Sequence, residues 1–190
     1  RTKNSNQMLM SIVSLQKSKS KILEVSTALD DVLGRLYILN DIDSLLTFVE
    51  DTEIVDVSSY INSIAGKIFS GMSASSQDVR LITDLHEGAL GRAQAQALAI
   101  IINEFITNSF KHAFKEGGVL SITMQSTEST ATLELIDDGP GIPEDATAGL
   151  GMAIIPAIAK QIGAEVEWVK GAGAHLKLTI PTPKPMMPAA

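Results

Sequence analysis

Several features are absent or scarce in this sequence of 190 residues, and each absence excludes a class of protein. There is no cysteine, which excludes disulfide-stapled scaffolds, thiolate metal sites and thiol nucleophiles. No apolar run approaches the roughly 18 residues that a membrane-spanning helix needs. Basic residues are outnumbered, with 15 Lys and Arg against 22 Asp and Glu, and the net charge of −7 argues against a general nucleic-acid binder.

The residues that are present have the balance of a globular protein. Hydrophobic residues make up 45% of the chain and charged residues 19%. This length is enough for one domain or two modest ones, each with a buried core. The sequence begins at Arg1 rather than Met, with no signal-peptide core after it, so we expect a piece of a longer chain.

The first 50 residues carry two narrow apolar seams with helical spacing. Met8, Ile12 and Leu15 fit a first helix, and a heptad seam runs from Ile22 to Leu39. The polar stretch 17–20 separates them and predicts a turn. Because a narrow seam is best buried by a second copy, residues 1–50 predict a helical hairpin that dimerises into a four-helix bundle.

From residue 51 onwards the pattern changes to mixed helices and strands. The acidic segment 50–56 predicts a connector, and a helix over 57–69 follows it. Five strands are predicted, over 79–84, 119–125, 130–136, 164–169 and 174–180, and further helices over 93–114 and from about 151 to 162. Because no regular βαβ repeat is present, residues 51–181 predict an α+β sandwich with helices on one sheet face. Pro181 is expected not to continue the sheet, and residues 182–190 are expected to form a loose Pro-rich tail.

The predicted helix over 93–114 is the most informative segment for chemistry. Its apolar positions form a buried stripe, which leaves four polar residues together on another face: Glu104, Asn108, Lys111 and His112. Mg²⁺ prefers hard oxygen ligands and an ammonium group neutralises phosphate, so this row suits a magnesium nucleotide. Taken alone, such a row is more often a solvated helix surface than a ligand site.

Two glycine turns follow this helix. A predicted strand runs into Asp137 and then Gly139-Pro140-Gly141, which puts a carboxylate beside a turn that a planar ligand can approach closely. The carboxylate can accept from an exocyclic amine such as that of adenine, although an ordinary Asp-Gly turn is the alternative. Further on, Gly149 and Gly151 open a helix, where backbone N–H groups and the helix dipole favour a phosphate.

The order of these three motifs resembles the GHKL ATPase superfamily, whose ATP site combines an Asn box, an Asp-x-Gly-x-Gly turn and a Gly-x-Gly turn. Within it, the chain resembles sensor histidine kinases of the HWE-related branch, which carry an HRxKN phosphoacceptor box. Residues 1–7 resemble the stretch directly after the phosphoacceptor His, and residues 171–181 resemble the last strand pair. The resemblance therefore implies a dimeric helical hairpin followed by a Bergerat-type ATP-binding α/β sandwich.

The resemblance also implies roles for the row on the helix. Asn108 would coordinate Mg²⁺. Glu104 would lie near the γ-phosphate as a base or an orienting group. Lys111 and His112 would face the phosphates.

The two turns would hold the rest of the nucleotide. Asp137 would accept a hydrogen bond from the adenine amino group, and Gly139 and Gly141 would admit the ring. Gly149 and Gly151 would border the triphosphate at the hinge of a mobile lid.

The implied activity is autophosphorylation of a His expected just before Arg1, followed by phosphotransfer to an Asp of a response-regulator receiver domain. The implied cofactors are ATP and Mg²⁺, and the implied partners are a second copy and the receiver, which would dock around Leu9, Ile12 and Leu15. We expect no nucleic acid partner and no membrane contact from this part of the protein. A cytoplasmic location is expected, whether or not the full-length protein is tethered to a membrane.

The chain departs from the family pattern in several places. No His precedes His86, and the segment between Pro143 and Gly149 is very short for a lid. Ala174 stands where the family usually has a Thr, which removes a hydroxyl expected to help hold adenine. The departures keep open an alternative, a phosphotransfer or docking module with a degenerate ATP site. A GHKL ATPase that drives conformational work is a third hypothesis, which the heptad hairpin disfavours.

Overall fold

The computed structural model describes residues 2–20, 54–73, 78–143 and 150–182, together with positions 22, 25, 26, 29, 32–34 and 36. The chain divides into two compact units, Arg1–Thr52 and Glu53–Ala190. Within the described ranges, no helix is both long enough and apolar enough to cross a membrane.

The N-terminal unit begins with helix α1, Thr2–Lys19. Its last turn carries Lys17 and Lys19, whose positive charges complement the negative end of the helix dipole. Residues 17–19, predicted to belong to the turn, are still helical, and Ser20 is the first described residue outside α1. Positions 25, 26, 29, 32–34 and 36 are also helical, as the second seam predicts, and the rest of that predicted helix lies outside the described residues.

The C-terminal unit contains seven strands and three helices among the described residues. The strands are β1 (Ile54–Asp56), β2 (Val79–Leu85), β3 (Ala89–Gly91), β4 (Gly118–Ser126), β5 (Thr130–Asp137), β6 (Glu165–Trp168) and β7 (His175–Pro181). The helices are α2 (Val57–Ser73), α3 (Arg92–His112) and α4 (Leu150–Gln161).

Five of the strands form one mixed sheet in the order β2-β4-β5-β7-β6. Strand β2 runs parallel to β4, and the other neighbouring pairs are antiparallel. Strands β1 and β3 form a separate antiparallel pair. In β4, β5 and β7, buried residues alternate with half-exposed ones, so one face of the sheet carries the core. The predicted α+β sandwich is confirmed.

Helix α3 is central to the helical layer, because it packs against both α2 and α4. Its N-terminus is fixed through Gln94, whose Oε1 accepts from the Gly91 N–H at 2.9 Å while its Nε2 donates to the Pro181 carbonyl at 2.7 Å. At the opposite end, Phe114 is buried, and a Cβ added at Gly118 would overlap its ring. The last turns of α3 lie against the end of β5, where the Ser109 hydroxyl donates to Asp137.

Three sequence predictions need correction. The predicted connector 50–56 includes strand β1, and its partner β3 was not predicted, since a three-residue strand with one buried residue has no readable period. Helix α2 continues beyond residue 69 to Ser73. Pro181 belongs to β7 and pairs with Thr130, because a strand's last residue can lack an N–H and still accept through its carbonyl.

Candidate functional site

A cavity of about 460 Å³ opens beside the C-terminal half of α3, the end of β5 and the turn that follows β5. Residues from α4, β6 and the loop before β7 complete its walls. The walls are mostly apolar, with polar side chains from Asn108, Ser109, His112 and Asp137. A concave, largely apolar cavity of this size with a few convergent polar groups is typical of a small-molecule site.

Asp137 is the most constrained polar residue of the cavity. Its side chain is 4% exposed. Oδ1 accepts from the backbone N–H groups of Gly139 and Ala174, each at 3.0 Å. Oδ2 accepts from the Ser109 hydroxyl at 2.7 Å. The carboxylate is therefore held on both oxygens by groups from three separate segments.

Three glycines allow the backbone to close around this carboxylate. Gly173 has φ +114°, and a Cβ there would overlap the Asp137 carbonyl oxygen. Gly141 has φ +81° and lies against the Gly173 backbone. A Cβ at Gly139 would overlap the Ala113 Cβ. The Asp-x-Gly-x-Gly spacing therefore has a direct steric reason in this fold.

Two aromatic rings form one wall of the cavity. Trp168 of β6 and Phe105 of α3 are stacked with centroids 6.4 Å apart and an interplanar angle of 19°. Both residues line the cavity, as does Met152 of α4. An apolar wall with a carboxylate beside it suits a planar heterocycle that carries an amino group.

The face of α3 toward the cavity differs from the predicted row. Five α3 and adjoining positions line it: Phe105, Asn108, Ser109, His112 and Ala113. At about 100° per residue, Glu104 and Lys111 lie more than about 100° around the helix from the middle of that face. Glu104 is buried and Lys111 is exposed, and neither lines the cavity.

The structure thus brings together four of the predicted site residues as cavity lining: Asn108, His112, Asp137 and Gly141. Gly139 lies beside them through its N–H bond to Asp137. Gly151 is the second residue of α4, next to the lining residue Met152. Gly149 lies outside the described residues.

Sequence reasoning missed Ser109 and did not place Trp168 in the site. Ser109 could have been found, because it follows Phe105 by four residues and precedes His112 by three, which puts all three on one helix face. Nothing in the local pattern around Trp168 indicates the cavity, since its position depends on the pairing of β6 with β7.

Two family comparisons agree with this architecture. Residues 93–184 match the HATPase_c family, described as histidine kinase-, DNA gyrase B- and HSP90-like ATPases. Residues 1–72 match the HisKA_2 family, described as histidine kinase.

Curated relatives include the heme sensor protein HssS of Staphylococcus saprophyticus, 27% identical over 158 residues that cover 73% of this chain and 32% of the relative. The sensor histidine kinase PdtaS of Mycobacterium tuberculosis is 26% identical over 164 residues, which cover 82% of this chain and 32% of that protein. The chain therefore spans about a third of the length of these relatives.

Solved structures support the same fold. The histidine kinase domain of the blue-light activated kinase EL346 from Erythrobacter litoralis matches with a TM-score of 0.69 at 20% identity, covering 93% of this chain and 96% of that one. The Acinetobacter baumannii histidine kinase AdeS matches with a TM-score of 0.60 at 16% identity, covering 94% and 96%. With both of its units matched, this chain belongs to the histidine kinases and carries their HisKA_2 and ATP-binding HATPase_c domains.

Proposed function

We propose that this chain is the kinase core of a two-component sensor histidine kinase, which uses ATP and Mg²⁺ to phosphorylate a His and passes the phosphoryl group to a receiver-domain Asp. The observation that carries the proposal is the buried Asp137 carboxylate, held on both oxygens at the edge of the cavity. In the proposed arrangement, residues 1–50 present the phosphoacceptor and residues 51–181 bind the nucleotide.

The base end of the site would be formed around Asp137. Its carboxylate accepts from the adenine amino group, and the Trp168–Phe105 wall covers apolar ring surface. Gly139 and Gly141 would admit the ring. Both positions also need glycine for packing, because a Cβ at Gly139 would overlap Ala113 and Gly141 has φ +81°. The cavity volume of about 460 Å³ fits a ligand of this class.

The phosphate end would be formed by α3 and the start of α4. The Asn108 amide oxygen supplies one ligand for Mg²⁺, which binds few protein groups and neutralises phosphate charge when present. His112, which lines the cavity, supplies a donor toward the phosphates. Glu104 and Lys111 do not line the cavity, so we do not assign them to the attacking group or to the phosphates. Gly149 and Gly151 would border the triphosphate at the base of a lid.

Catalysis of phosphoryl transfer depends mainly on alignment and charge stabilisation. The polar side chains that line this site are accordingly few: Asn108, Ser109, His112 and Asp137. Asp137 and Asn108 would set where the nucleotide lies relative to the incoming His.

The proposed partners act on the N-terminal unit. A second copy covers the α1 seam of Met8, Ile12 and Leu15 in a four-helix bundle, and a receiver domain docks beside that seam, around Leu9, whose side chain is exposed. We place the kinase core in the cytoplasm, where ATP and receiver domains are found. The acidic net charge of −7 disfavours nucleic acid as a partner.

The alternative of a degenerate ATP site rests chiefly on Ala174. Ala174 contacts Asp137 through its backbone N–H, which any residue at this position except proline provides. The missing side-chain hydroxyl therefore leaves the contacts of the carboxylate in place.

The test is transfer of γ-labelled phosphate from ATP in a form of the protein that includes the His expected before Arg1. Asn108→Ala is expected to lower incorporation at least about 100-fold, in the range of losses seen when a charge-stabilising group is removed. Asn62→Ala, which removes an exposed amide from α2, is the matched control and should change it less than about twofold. Equal incorporation by wild type and Asn108→Ala would contradict the site assignment, and labelling of no His would contradict the kinase assignment.

A further inference from the structure

Ser109 is the one residue that holds the Asp137 carboxylate from the helical layer, among the hydrogen bonds that the described residues make. Its side chain is 2% exposed, and it lines the cavity. A buried hydroxyl adds little apolar surface to the core, so the hydrogen bond to Asp137 is the contact that accounts for a serine at this position.

The hydroxyl has one proton and two acceptors within reach. Ser109 Oγ lies 3.1 Å from the Phe105 carbonyl oxygen and 2.7 Å from Asp137 Oδ2. The first contact is the ordinary bond of a helical Ser to the preceding turn. The second is shorter and has the length of a hydrogen bond from a hydroxyl to a carboxylate, which is the stronger kind. The proton is therefore directed to Asp137.

The remaining acceptor capacity of the carboxylate can be counted. A carboxylate offers about four lone-pair positions, two on each oxygen. The Gly139 and Ala174 N–H groups occupy both positions on Oδ1, and Ser109 occupies one on Oδ2. One position on Oδ2 remains beyond these three bonds, and Asp137 lines the cavity.

Ser109 also fixes the plane of the carboxylate. Rotation about the last side-chain torsion of Asp is soft, because it joins tetrahedral and planar atoms. With Oδ1 held by the backbone and Oδ2 held by Ser109, that rotation would break a short hydrogen bond. A carboxylate held in this way meets a donor without reorganisation, which favours binding.

We propose that Ser109 is a positioning and specificity-determining residue of the base site, which aims Asp137 Oδ2 so that the site prefers 6-aminopurine nucleotides to purines that lack the amine. This inference rests on the proposed function, since it needs a nucleotide in the cavity. It goes beyond it by assigning the preference for the amino group to a second residue, on a different element from Asp137.

The experiment is a calorimetric titration of the 190-residue chain with ADP and with purine riboside diphosphate, which lacks the 6-amino group. Ser109→Ala is expected to weaken ADP binding about tenfold, the size of one hydrogen bond to a charged group. It should change binding of the analogue less than about twofold. Ser109→Thr keeps the hydroxyl and should retain most of the preference for ADP.

Thr107→Ala is the matched control. It removes a hydroxyl from the same helix, two residues away, where Oγ1 bonds to Asn103 rather than to Asp137. It should leave both affinities within about twofold of wild type. If Ser109→Ala fails to fold, Ser109→Cys provides a side chain of similar size with a weak donor and should show the same selective loss.

The outcomes distinguish a failure of the role inferred for Ser109 from a failure of the proposed nucleotide binding. Equal loss of ADP and analogue binding in Ser109→Ala would reduce Ser109 to a structural role, and no loss of either would also overturn the inference. If wild type bound neither nucleotide, the proposed function itself would fail, and the inference with it.

Discussion

The two units of this chain bury their apolar residues in opposite ways. In the C-terminal unit, Leu133, Leu135, Leu176 and Leu178 are fully buried between the sheet and the helices. In α1 of the N-terminal unit, the large apolar side chains at positions 8, 9, 12 and 15 are between 46% and 67% exposed. Ile22 and Val25, after the turn, are exposed as well.

This difference indicates where each unit obtains its stability. The C-terminal unit closes its own core and can hold a precise site, because Asp137 is buried and its carboxylate is held on both oxygens. In the N-terminal unit, the apolar face of α1 and the start of the heptad seam are exposed, whereas Leu33 is buried. Burying the exposed part needs another surface. A second copy of the same hairpin is the proposed surface.

The largest expected effect comes from the closed core. Leu135→Ala should lower the free energy of unfolding of the C-terminal unit by about 2–5 kcal/mol, because it deletes fully buried methyl groups and leaves a cavity. Ile82→Ala on the same sheet, where the side chain is 51% exposed, is the matched control and should cost less than about 1 kcal/mol. Denaturant unfolding measures both, and similar losses would contradict the described burial.

A substitution in the exposed apolar face of α1 should weaken dimer association rather than destabilise the C-terminal unit. Ile12→Glu places a charge in the proposed dimer seam and should raise the dimer dissociation constant at least about 100-fold. ADP binding by the C-terminal unit should be unchanged. Ser11→Glu adds the same charge at the neighbouring exposed position and serves as control. A wild-type chain that sediments only as monomer at high concentration would remove the basis for the dimer.

Glycine geometry offers a third comparison, within the C-terminal unit. Gly173→Ala forces a side chain into positive φ and against the Asp137 carbonyl, at a cost of about 1–3 kcal/mol in stability and a loss of nucleotide affinity. Gly171→Ala meets no atom within 4 Å and should be close to neutral. Thermal unfolding and ADP titration distinguish them, and equal behaviour would contradict the close approach at Gly173.

The smallest effect concerns the start of α2. Asp56 caps this helix, accepting from the Ser58 N–H at 3.2 Å and the Ser58 hydroxyl at 2.9 Å. Hydrogen bonds from Ser59 and Ser58 hold the pKa of the Asp56 carboxyl below its ordinary value of 3.8, against a smaller opposing effect of burial.

A lowered folded-state pKa means that this stabilisation is present above the unfolded pKa and is lost as pH falls through the folded value. Asp56→Ala should therefore cost at most about 1 kcal/mol near neutral pH and progressively less below about pH 4. The check is to measure the free energy of unfolding of wild type and variant near neutral pH and below about pH 4. Glu87→Ala is the surface control. A penalty that stays constant with pH would exclude the charged cap.

Much of the fold could be predicted from the sequence because its long elements have strong periods. The alternation over 119–125 and 130–136 and the apolar stripe of α3 follow directly from one buried face. Strands β1 and β3 could not be found in this way, because each buries a single residue and exists only through the other.

The site was only partly predictable, because some of its contacts join residues that are far apart in the sequence. Asp137 and its glycines are adjacent in sequence, so their motif is readable, and the predicted position of Asn108 and His112 on α3 follows from helical spacing. The stacking of Trp168 on Phe105 joins residues 63 positions apart. The bond from Ser109 to Asp137 likewise depends on how α3 packs against β5, which no local pattern encodes.

The most direct measurement is a calorimetric titration of ADP into wild type, Asp137→Asn and Asp138→Asn. Asp138 is the exposed neighbouring acid, whose Oδ1 accepts from the Val119 N–H at 2.8 Å. The account predicts binding by wild type, loss of about 30-fold or more for Asp137→Asn, and a change below about threefold for Asp138→Asn. Equal affinities for wild type and Asp137→Asn would contradict the claim that this cavity holds the nucleotide base.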